Sequence, residues 1–195
     1  MNLKGTSERK IFFTADLHLF HKNVIFYDKR PVKDVEEMHN WIIDIWNRTV
    51  GSNDLVFILG DVTLISSKKV IPILQELKGE KYLLPGNHDS EDMLQEYWRN
   101  HVFEDILPVL DIIRYTPQGS NTELTFQISH YPLLDWYRKQ KGSYNLFAHT
   151  HGSLMDHDPS QIEIGWPIWQ RPLEITEIIE MLKRQIQEGK PHFFF

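Results

Sequence analysis

Aspartate, histidine and asparagine recur in short motifs, and these residue types bind metal ions through oxygen and nitrogen atoms. Each motif alone also fits an ordinary turn or a surface histidine, so the set matters more than any member. Without His88 and Asp89, the motifs offer seven candidate ligands, namely two carboxylates, one amide and four imidazoles, which suit two divalent ions better than a four-ligand structural site. The motifs, in chain order, are Asp16-x-His18, Gly60-Asp61, Gly86-Asn87-His88-Asp89, Ser129-His130 and Ala148-His149-Thr150-His151.

The spacing within each motif suggests how its side chains reach an ion. Residues two apart on extended backbone point the same way, so we expect Asp16 and His18 to face one ion, and the paired imidazoles of His149 and His151 to face a shared centre. The two oxygens of Asp61 can bridge two cations. Two divalent cations and two carboxylates leave positive charge for a phosphate, which favours chemistry at phosphorus.

The motif around His88 adds groups that act on substrate. Asn87 is expected to bind metal through its side-chain oxygen, while His88 faces another part of the site. A carboxylate bonded to one ring nitrogen fixes the tautomer of an imidazole, so Asp89 is predicted to hold His88 as a general acid or anion-stabilising group. His21 and Arg30 are predicted substrate contacts, with Arg30 capable of a bidentate bond to phosphate; the alternative is a solvated basic loop.

Apolar runs predict the elements that position these motifs. Strands at 10–15, 54–59 and 81–84 alternate with helices at 35–50, 67–77 and 90–100, which predicts a largely parallel sheet in the first half. A hairpin of 109–114 and 124–129, strands near 145–148, 161–165 and 173–175, and a helix near 176–187 are expected to follow. Ligands bind at the carboxyl ends of strands in open α/β sheets, which is where the motifs fall.

Composition excludes several classes of protein. The 195 residues suit one domain, 1–195, and no apolar run approaches the length that spans a bilayer. The net charge of −6 argues against general nucleic-acid binding and favours a small phosphorylated substrate. Cysteine is absent and no secretory signal precedes the first strand, so we expect a cytoplasmic protein. The Phe193–Phe195 tail has no assigned role; packing within the chain and an oligomer contact are the two interpretations. The oligomeric state stays open.

The five motifs, in this order across roughly residues 11–151, resemble the calcineurin-like metallophosphoesterase superfamily. Segments 23–25, 30–31 and 46–47, and the run His130-Tyr131-Pro132, are similar to a branch of small, single-domain bacterial or phage phosphoesterases. Ala148 departs from the pattern, since the family usually has glycine there.

The resemblance implies an α/β (α+β) fold, a four-layer αββα sandwich of two mixed sheets flanked by helices. It also implies that His88 contacts the phosphate and assists the leaving group, with Asp89 orienting it. By the same resemblance, Asp16, His18, Asp61 and His151 surround one ion, and Asp61, Asn87, His130 and His149 surround the other, with Asp61 shared.

We therefore expect a phosphoesterase that uses two divalent metal ions to cleave a phosphate mono- or diester of a small nucleotide-type substrate. In this hypothesis a hydroxide held by both ions attacks phosphorus in line. We expect the metal to be manganese, with zinc, iron, nickel or cobalt as alternatives. Two other functions stay open: a non-catalytic scaffold with a phosphoesterase fold, and a nuclease, which the acidic charge and the lack of a second domain disfavour.

Overall fold

The computed structural model describes residues 1–189, so the prediction for Phe193–Phe195 falls outside the described part of the chain. The strands are β1 (Asn2–Lys4), β2 (Ile11–Thr14), β3 (Leu55–Ile58), β4 (Glu80–Leu83), β5 (Asp105–Ile106), β6 (Leu110–Thr116), β7 (Leu124–Ser129), β8 (Tyr144–Phe147), β9 (Gln161–Glu163) and β10 (Leu173–Glu174). The helices are α1 (Lys22–Tyr27), α2 (Val35–Thr49), α3 (Ser67–Glu76), α4 (Glu91–Arg99), α5 (Trp166–Trp169) and α6 (Ile175–Glu188), with a 3₁₀ turn at Lys139–Lys141.

One sheet has the strand order β10-β2-β3-β4-β5. Strands β2 to β5 run parallel, and β10 pairs antiparallel with β2. Every residue of β2 and β3 is buried, because both faces of this sheet are covered. The parallel sheet predicted from the alternating strands and helices of the first half is therefore present.

The other sheet has the order β1-β6-β7-β8-β9. Its β6–β7 pair is the predicted antiparallel hairpin, while β1, β8 and β9 each run parallel to a neighbour. Strand β1 was not predicted from the sequence, because its short polar segment lacks an alternating apolar pattern. Both sheets are mixed and helices flank them, which confirms the expected sandwich.

Alternate residues of the central strands divide between two apolar cores. Phe13 and Phe57 face the other sheet, where they join Phe126 of β7 and residues of α6. Phe12 and its neighbours on the opposite face pack against helices, where the fully buried Trp46 of α2 lies. The first core joins the two sheets, and the second joins helices to the parallel sheet. None of the helices within residues 1–189 is long and apolar enough to cross a membrane.

Candidate metal centre

The first cluster contains Asp16 and His18, which follow β2, and His151, which follows β8. Their ligand atoms lie within 4.8 Å of one another. The Nε2 atoms of His18 and His151 are 3.1 Å apart, and His151 Nε2 lies 3.9 Å from Asp16 Oδ1. Metal bonds to imidazole are about 2.0–2.1 Å long, so both nitrogens can reach one ion.

The second cluster contains Asp61, which follows β3, together with His130 and His149 from the other sheet. His130 Nε2 lies 3.5 Å from Asp61 Oδ2 and 3.1 Å from the side-chain oxygen of Asn87. Asp61 and His130 are buried, whereas His149 is exposed to solvent. Asn87 thus stands beside this cluster, in the place that the sequence predicted for it.

Asp61 lies between the two clusters. Its Oδ2 atom is 3.8 Å from Nε2 of His18 in the first cluster and 3.5 Å from Nε2 of His130 in the second. Each cluster also combines side chains from both sheets, since Asp16, His18 and Asp61 follow strands of one sheet and the other histidines follow strands of its partner. The structure therefore brings all seven predicted ligands to one edge of the sandwich.

Left-handed backbone, and not extended backbone, places most of these side chains. The expectation that the pairs two apart lie on extended chain is wrong. The φ angles are 55° at Asp16, 47° at His18, 56° at Asp61, 74° at His149 and 49° at His151. This conformation costs about 1–2 kcal/mol for each non-glycine residue, so the surrounding structure must impose it. Backbone bonds from Asp16 N to Gly60 O (3.0 Å) and from His18 N to Asp61 O (3.1 Å) tie these loops together.

Two glycines permit the close approach of the loops that carry the ligands. Gly60 has φ +88°, and a Cβ there would collide with the backbone of Gly86. A Cβ on Gly86 would collide with the carboxylate of Asp61. By contrast, Ala148 is absent from the residues of positive φ and is fully buried, so its methyl group is accommodated where the family usually has glycine.

The chemistry of the first cluster fits a bound cation. Asp16 Oδ1 and His18 Nδ1 are buried polar atoms without a hydrogen-bond partner among the described residues. Burial raises the pKa of Asp16 to about 7 and lowers the pKa of His18 to about 3. Burial therefore disfavours both charged forms, and a cation near these atoms would offset that cost for the carboxylate.

Groups behind the ligands fix how the imidazoles point. His151 Nδ1 bonds Asp28 Oδ1 at 2.8 Å, and His130 Nδ1 bonds the carbonyl oxygen of Leu59 at 2.7 Å. Each bond leaves Nε2 directed into its cluster, as metal-binding histidines require. Burial lowers the pKa of both imidazoles, but Asp28 beside His151 and Asp61 beside His130 outweigh it, so both pKa values are raised.

Arg30 is not placed to contact a substrate phosphate, so the prediction from the sequence is corrected here. Its side chain is only 1% exposed. The guanidinium donates to Asp28 at 2.9 Å, to the carbonyl oxygen of Leu17 at 2.8 Å and to that of Asp16 at 3.1 Å. Arg30 therefore supports Asp28, a residue that sequence reasoning missed because an aspartate in a polar loop carries no motif.

The contacts of Asp89 differ from its predicted role. Its carboxylate accepts backbone bonds from Asp61 N (2.8 Å), Val62 N (3.2 Å) and Gly86 N (2.9 Å), and no bond to His88 accompanies them within residues 1–189. Asp89 thus joins the loop after β3 to the loop after β4. The prediction that it orients the ring of His88 is corrected, because three amide donors already occupy both carboxylate oxygens.

His88 and His21 lie at the open side of the centre. The His88 side chain is 41% exposed, and its Nε2 is 3.8 Å from Asp61 Oδ2. Its backbone N–H donates to Asp61 Oδ1 at 3.0 Å, which holds the residue beside the second cluster. The His21 ring lies 5.9 Å from that of His18. Both imidazoles are thus placed to meet a ligand that approaches the clusters.

Two further residues border the centre although the sequence did not predict them as site residues. The ring of Tyr131, 48% exposed, lies 4.6 Å from that of His149. Glu163 accepts bonds from the hydroxyl of Thr150 at 2.6 Å and from the backbone of Gly152 at 3.1 Å. Glu163 therefore supports the loop that presents His149 and His151.

Comparison with known proteins defines the class to which this fold and site belong. A family model described as calcineurin-like phosphoesterase matches residues 9–176. The chain therefore belongs to the calcineurin-like phosphoesterase family, as its five motifs indicated. Membership implies divalent metal ions, and the two clusters are the candidate sites for them.

Individual relatives add little on function. An uncharacterised protein of Methanocaldococcus jannaschii is 42% identical over 86 residues, 43% of this chain, and the match spans about half (49%) of that relative. The gene 66 protein of Mycobacterium phage L5 is 27% identical over 93% of this chain and 98% of its own length. The solved structure of a protein of unknown function, AQ665 from Aquifex aeolicus, shares the fold with a TM-score of 0.63, 20% identity and coverage of 88% and 98%.

Proposed function

We propose that this protein is a hydrolase that cleaves a phosphate mono- or diester with the help of two divalent metal ions. The observation that carries the proposal is the position of Asp61, whose Oδ2 atom lies 3.8 Å from His18 Nε2 and 3.5 Å from His130 Nε2. A carboxylate placed between histidines of two clusters is suited to hold two cations close together.

The chain's residues divide between holding the ions and meeting the substrate. Asp16, His18 and His151 would hold one ion, and His130, His149 and Asn87 the other. When bound, such cations lower the pKa of water and clamp the attacking and leaving oxygens of an in-line displacement at phosphorus. Manganese is the metal we propose first, and the nitrogen and oxygen ligands, without thiolate, also fit zinc, iron, nickel or cobalt.

His88 is the proposed catalytic residue that contacts substrate. Its ring is partly exposed beside Asp61, and it can donate a proton from Nε2 to a phosphate oxygen or to the leaving group. His21 is the remaining proposed substrate contact, since its ring lies 5.9 Å from that of His18. A small nucleotide-type phosphoester is the proposed substrate.

Hydrolysis of bis-p-nitrophenyl phosphate and p-nitrophenyl phosphate by the purified full chain tests this proposal. Asp61→Asn removes the negative charge between the clusters, so we expect activity with manganese to fall at least about 100-fold. Asp92→Asn is the matched control, because Asp92 is an exposed carboxylate on α4 that belongs to neither cluster, and its activity should equal that of the wild type.

The outcome also separates the proposal from its alternatives. A wild type without activity toward either compound in manganese, zinc, iron, nickel or cobalt would contradict the proposal and favour a non-catalytic scaffold. Full activity of Asp61→Asn would contradict the role given to Asp61. Metal analysis of both proteins distinguishes lost metal from lost chemistry.

A further inference from the structure

A groove beside the metal centre combines exposed aromatic rings with lysines. Its volume is about 760 Å³, within the range of roughly 300–1,000 Å³ found for small-ligand sites. Phe26 and Tyr27 on α1 are 82% and 67% exposed, although large apolar side chains are normally covered. The groove is lined by Lys22, Asn23, Ile25, Phe26, Tyr27, Lys29, Arg30, Val32 and Lys33.

The charge of the groove differs from that of the whole protein. The chain carries a net charge of −6, yet residues 21–33 contain four cationic side chains and one carboxylate. That carboxylate, Asp28, already pairs with the buried Arg30, and Lys33 lies 3.3 Å from Glu37 on the surface. Lys22 and Lys29 are exposed and make no ion pair with any residue that the structure describes. The groove therefore favours an anionic ligand.

The groove and the first metal cluster share a wall. Arg30 lines the groove and donates to Asp28, and Asp28 bonds the ring of His151 at 2.8 Å. Helix α1 begins directly after His21, whose ring lies 5.9 Å from that of His18. Arg30 and Asp28 thus place the groove next to the first metal cluster.

We propose that this groove binds a short single strand of nucleic acid, with its bases on Phe26 and Tyr27 and its phosphates beside Lys22 and Lys29. Proteins bind single strands by stacking bases on aromatic rings while cationic side chains follow the backbone. The two rings pack edge to face, with centroids 6.1 Å apart and an interplanar angle of 66°, and both are exposed, so each would stack on a different base. The inference deepens the proposed function, on which it rests, by naming an oligonucleotide as the phosphodiester substrate.

Fluorescence anisotropy with a labelled ten-nucleotide oligothymidine tests the groove without any catalysis. The full chain is used in EDTA, so that the strand is not cleaved. Because stacking of each base is worth a few-fold to about 100-fold in affinity, Phe26→Ala with Tyr27→Ala should weaken binding at least about fivefold. Phe26→Leu with Tyr27→Leu should weaken it similarly, since leucine keeps the apolar surface but has no ring.

The lysines are tested by the dependence of binding on salt. Each phosphate contact adds roughly 0.7 to the slope of log affinity against log salt for a single strand, so Lys22→Gln with Lys29→Gln should reduce that slope by about 1.4. Trp98→Ala and Lys68→Gln with Lys69→Gln are matched controls, because they remove an exposed ring from α4 and two exposed lysines from α3. These controls should bind as the wild type does.

Several outcomes would overturn the groove proposal. One is that the wild type does not bind the strand, and another is that the groove variants bind it as tightly as the wild type does. A third is that a duplex, whose bases are already stacked, competes as well as an unlabelled single strand. A dimer that dissociates in Phe26→Ala with Tyr27→Ala, seen by light scattering, would show that a second copy of the chain covers this face. A wild type that binds the strand but hydrolyses no phosphoester under any metal would contradict only the proposed function.

Discussion

At the scale of single residues, Asp28 orients a proposed metal ligand although it is not a proposed ligand itself. It fixes the tautomer of His151 through a 2.8 Å bond, and Arg30 holds it in place at 2.9 Å. Burial tends to raise the pKa of Asp28, but His151 and Arg30 outweigh it, so the pKa is lowered and the carboxylate stays charged. The charge raises the basicity of an imidazole that would bind metal.

We therefore predict that Asp28→Asn weakens metal binding at the first cluster about 10- to 100-fold, as is typical for groups that orient metal ligands. Titration calorimetry of the metal-free protein with manganese measures the change. Asp44→Asn is the control, because Asp44 pairs with Arg48 on the exposed surface of α2 and has no contact with the centre. Equal affinities of Asp28→Asn and the wild type would contradict this role.

The sequence pointed to the side chains of the two candidate clusters but not to the reason for their convergence. Asp16 and His18 could be found by residue type and by position after a strand, whereas their left-handed backbone depends on bonds to the neighbouring loop. Arg30 looked like a substrate contact because sequence does not reveal that its guanidinium is buried under Asp16 and Asp28. Residue type indicates possible chemistry, but only packing determines which partner a charge meets.

At the scale of elements, Asp89 connects two strands of the parallel sheet beyond their last residues. Its carboxylate accepts backbone bonds from the loop after β3 and from the loop after β4. The first loop carries Asp61 and the second carries Asn87 and His88. The carboxylate of Asp89 therefore helps to set the separation of these loops, together with the bond from His88 N to Asp61 Oδ1.

Asp89→Ala is predicted to lower the free energy of unfolding by about 3 kcal/mol or more, because it leaves buried backbone donors without a partner. It should also weaken metal binding at the second cluster. Urea unfolding measures the first effect and metal titration the second. Asp92→Ala, a change at an exposed position of α4, should cost under about 1 kcal/mol. A variant of normal stability whose activity merely shifts with pH would restore the predicted role of orienting His88.

Long elements were predictable because their signals are local. Apolar runs marked β2, β3 and β4, and helical spacing marked α2 and α4, whose N-caps Asp34 and Ser90 accept bonds from the first turn. Helix α1 has six residues and no side-chain cap bond, and β1 is short and polar. Such short elements depend on neighbours distant in sequence, so local patterns did not reveal them.

At the scale of the whole molecule, bound metal ions would join the two sheets. The first cluster unites His18 with His151, which are 133 positions apart in the chain. Cysteine is absent, so disulfides cannot provide such links. Any ion that binds the folded centre but not the unfolded chain stabilises the fold by mass action.

We predict that excess manganese raises the Tm of the metal-free protein by about 5–10 °C, which corresponds to roughly 2.7 kcal/mol at a concentration 100 times Kd. Differential scanning calorimetry measures the shift. Asp61→Asn should lose most of the shift, while Asp92→Asn should keep it. An unchanged Tm in the wild type would show that metal does not join the sheets.

The rise in Tm caused by manganese should become smaller as the pH falls from 8 to 6. Imidazole binds metal only when neutral, so protons compete with the ion. Burial lowers the pKa of His130 and His151, but the neighbouring carboxylates outweigh it and raise both, so this competition begins at a higher pH than for free histidine. A shift in Tm of the same size at both pH values would contradict this assignment.

The left-handed residues of the centre limit how it can be transplanted. A designer who copies Asp16, His18 and Asp61 onto the ends of ordinary strands would reproduce the side chains but not the turns that aim them, since all three have positive φ. The recipient scaffold would also need glycines that let adjacent loops touch, as Gly60 and Gly86 do here. The transferable unit is therefore the set of interlocked loops, together with the parallel strands that keep them in register.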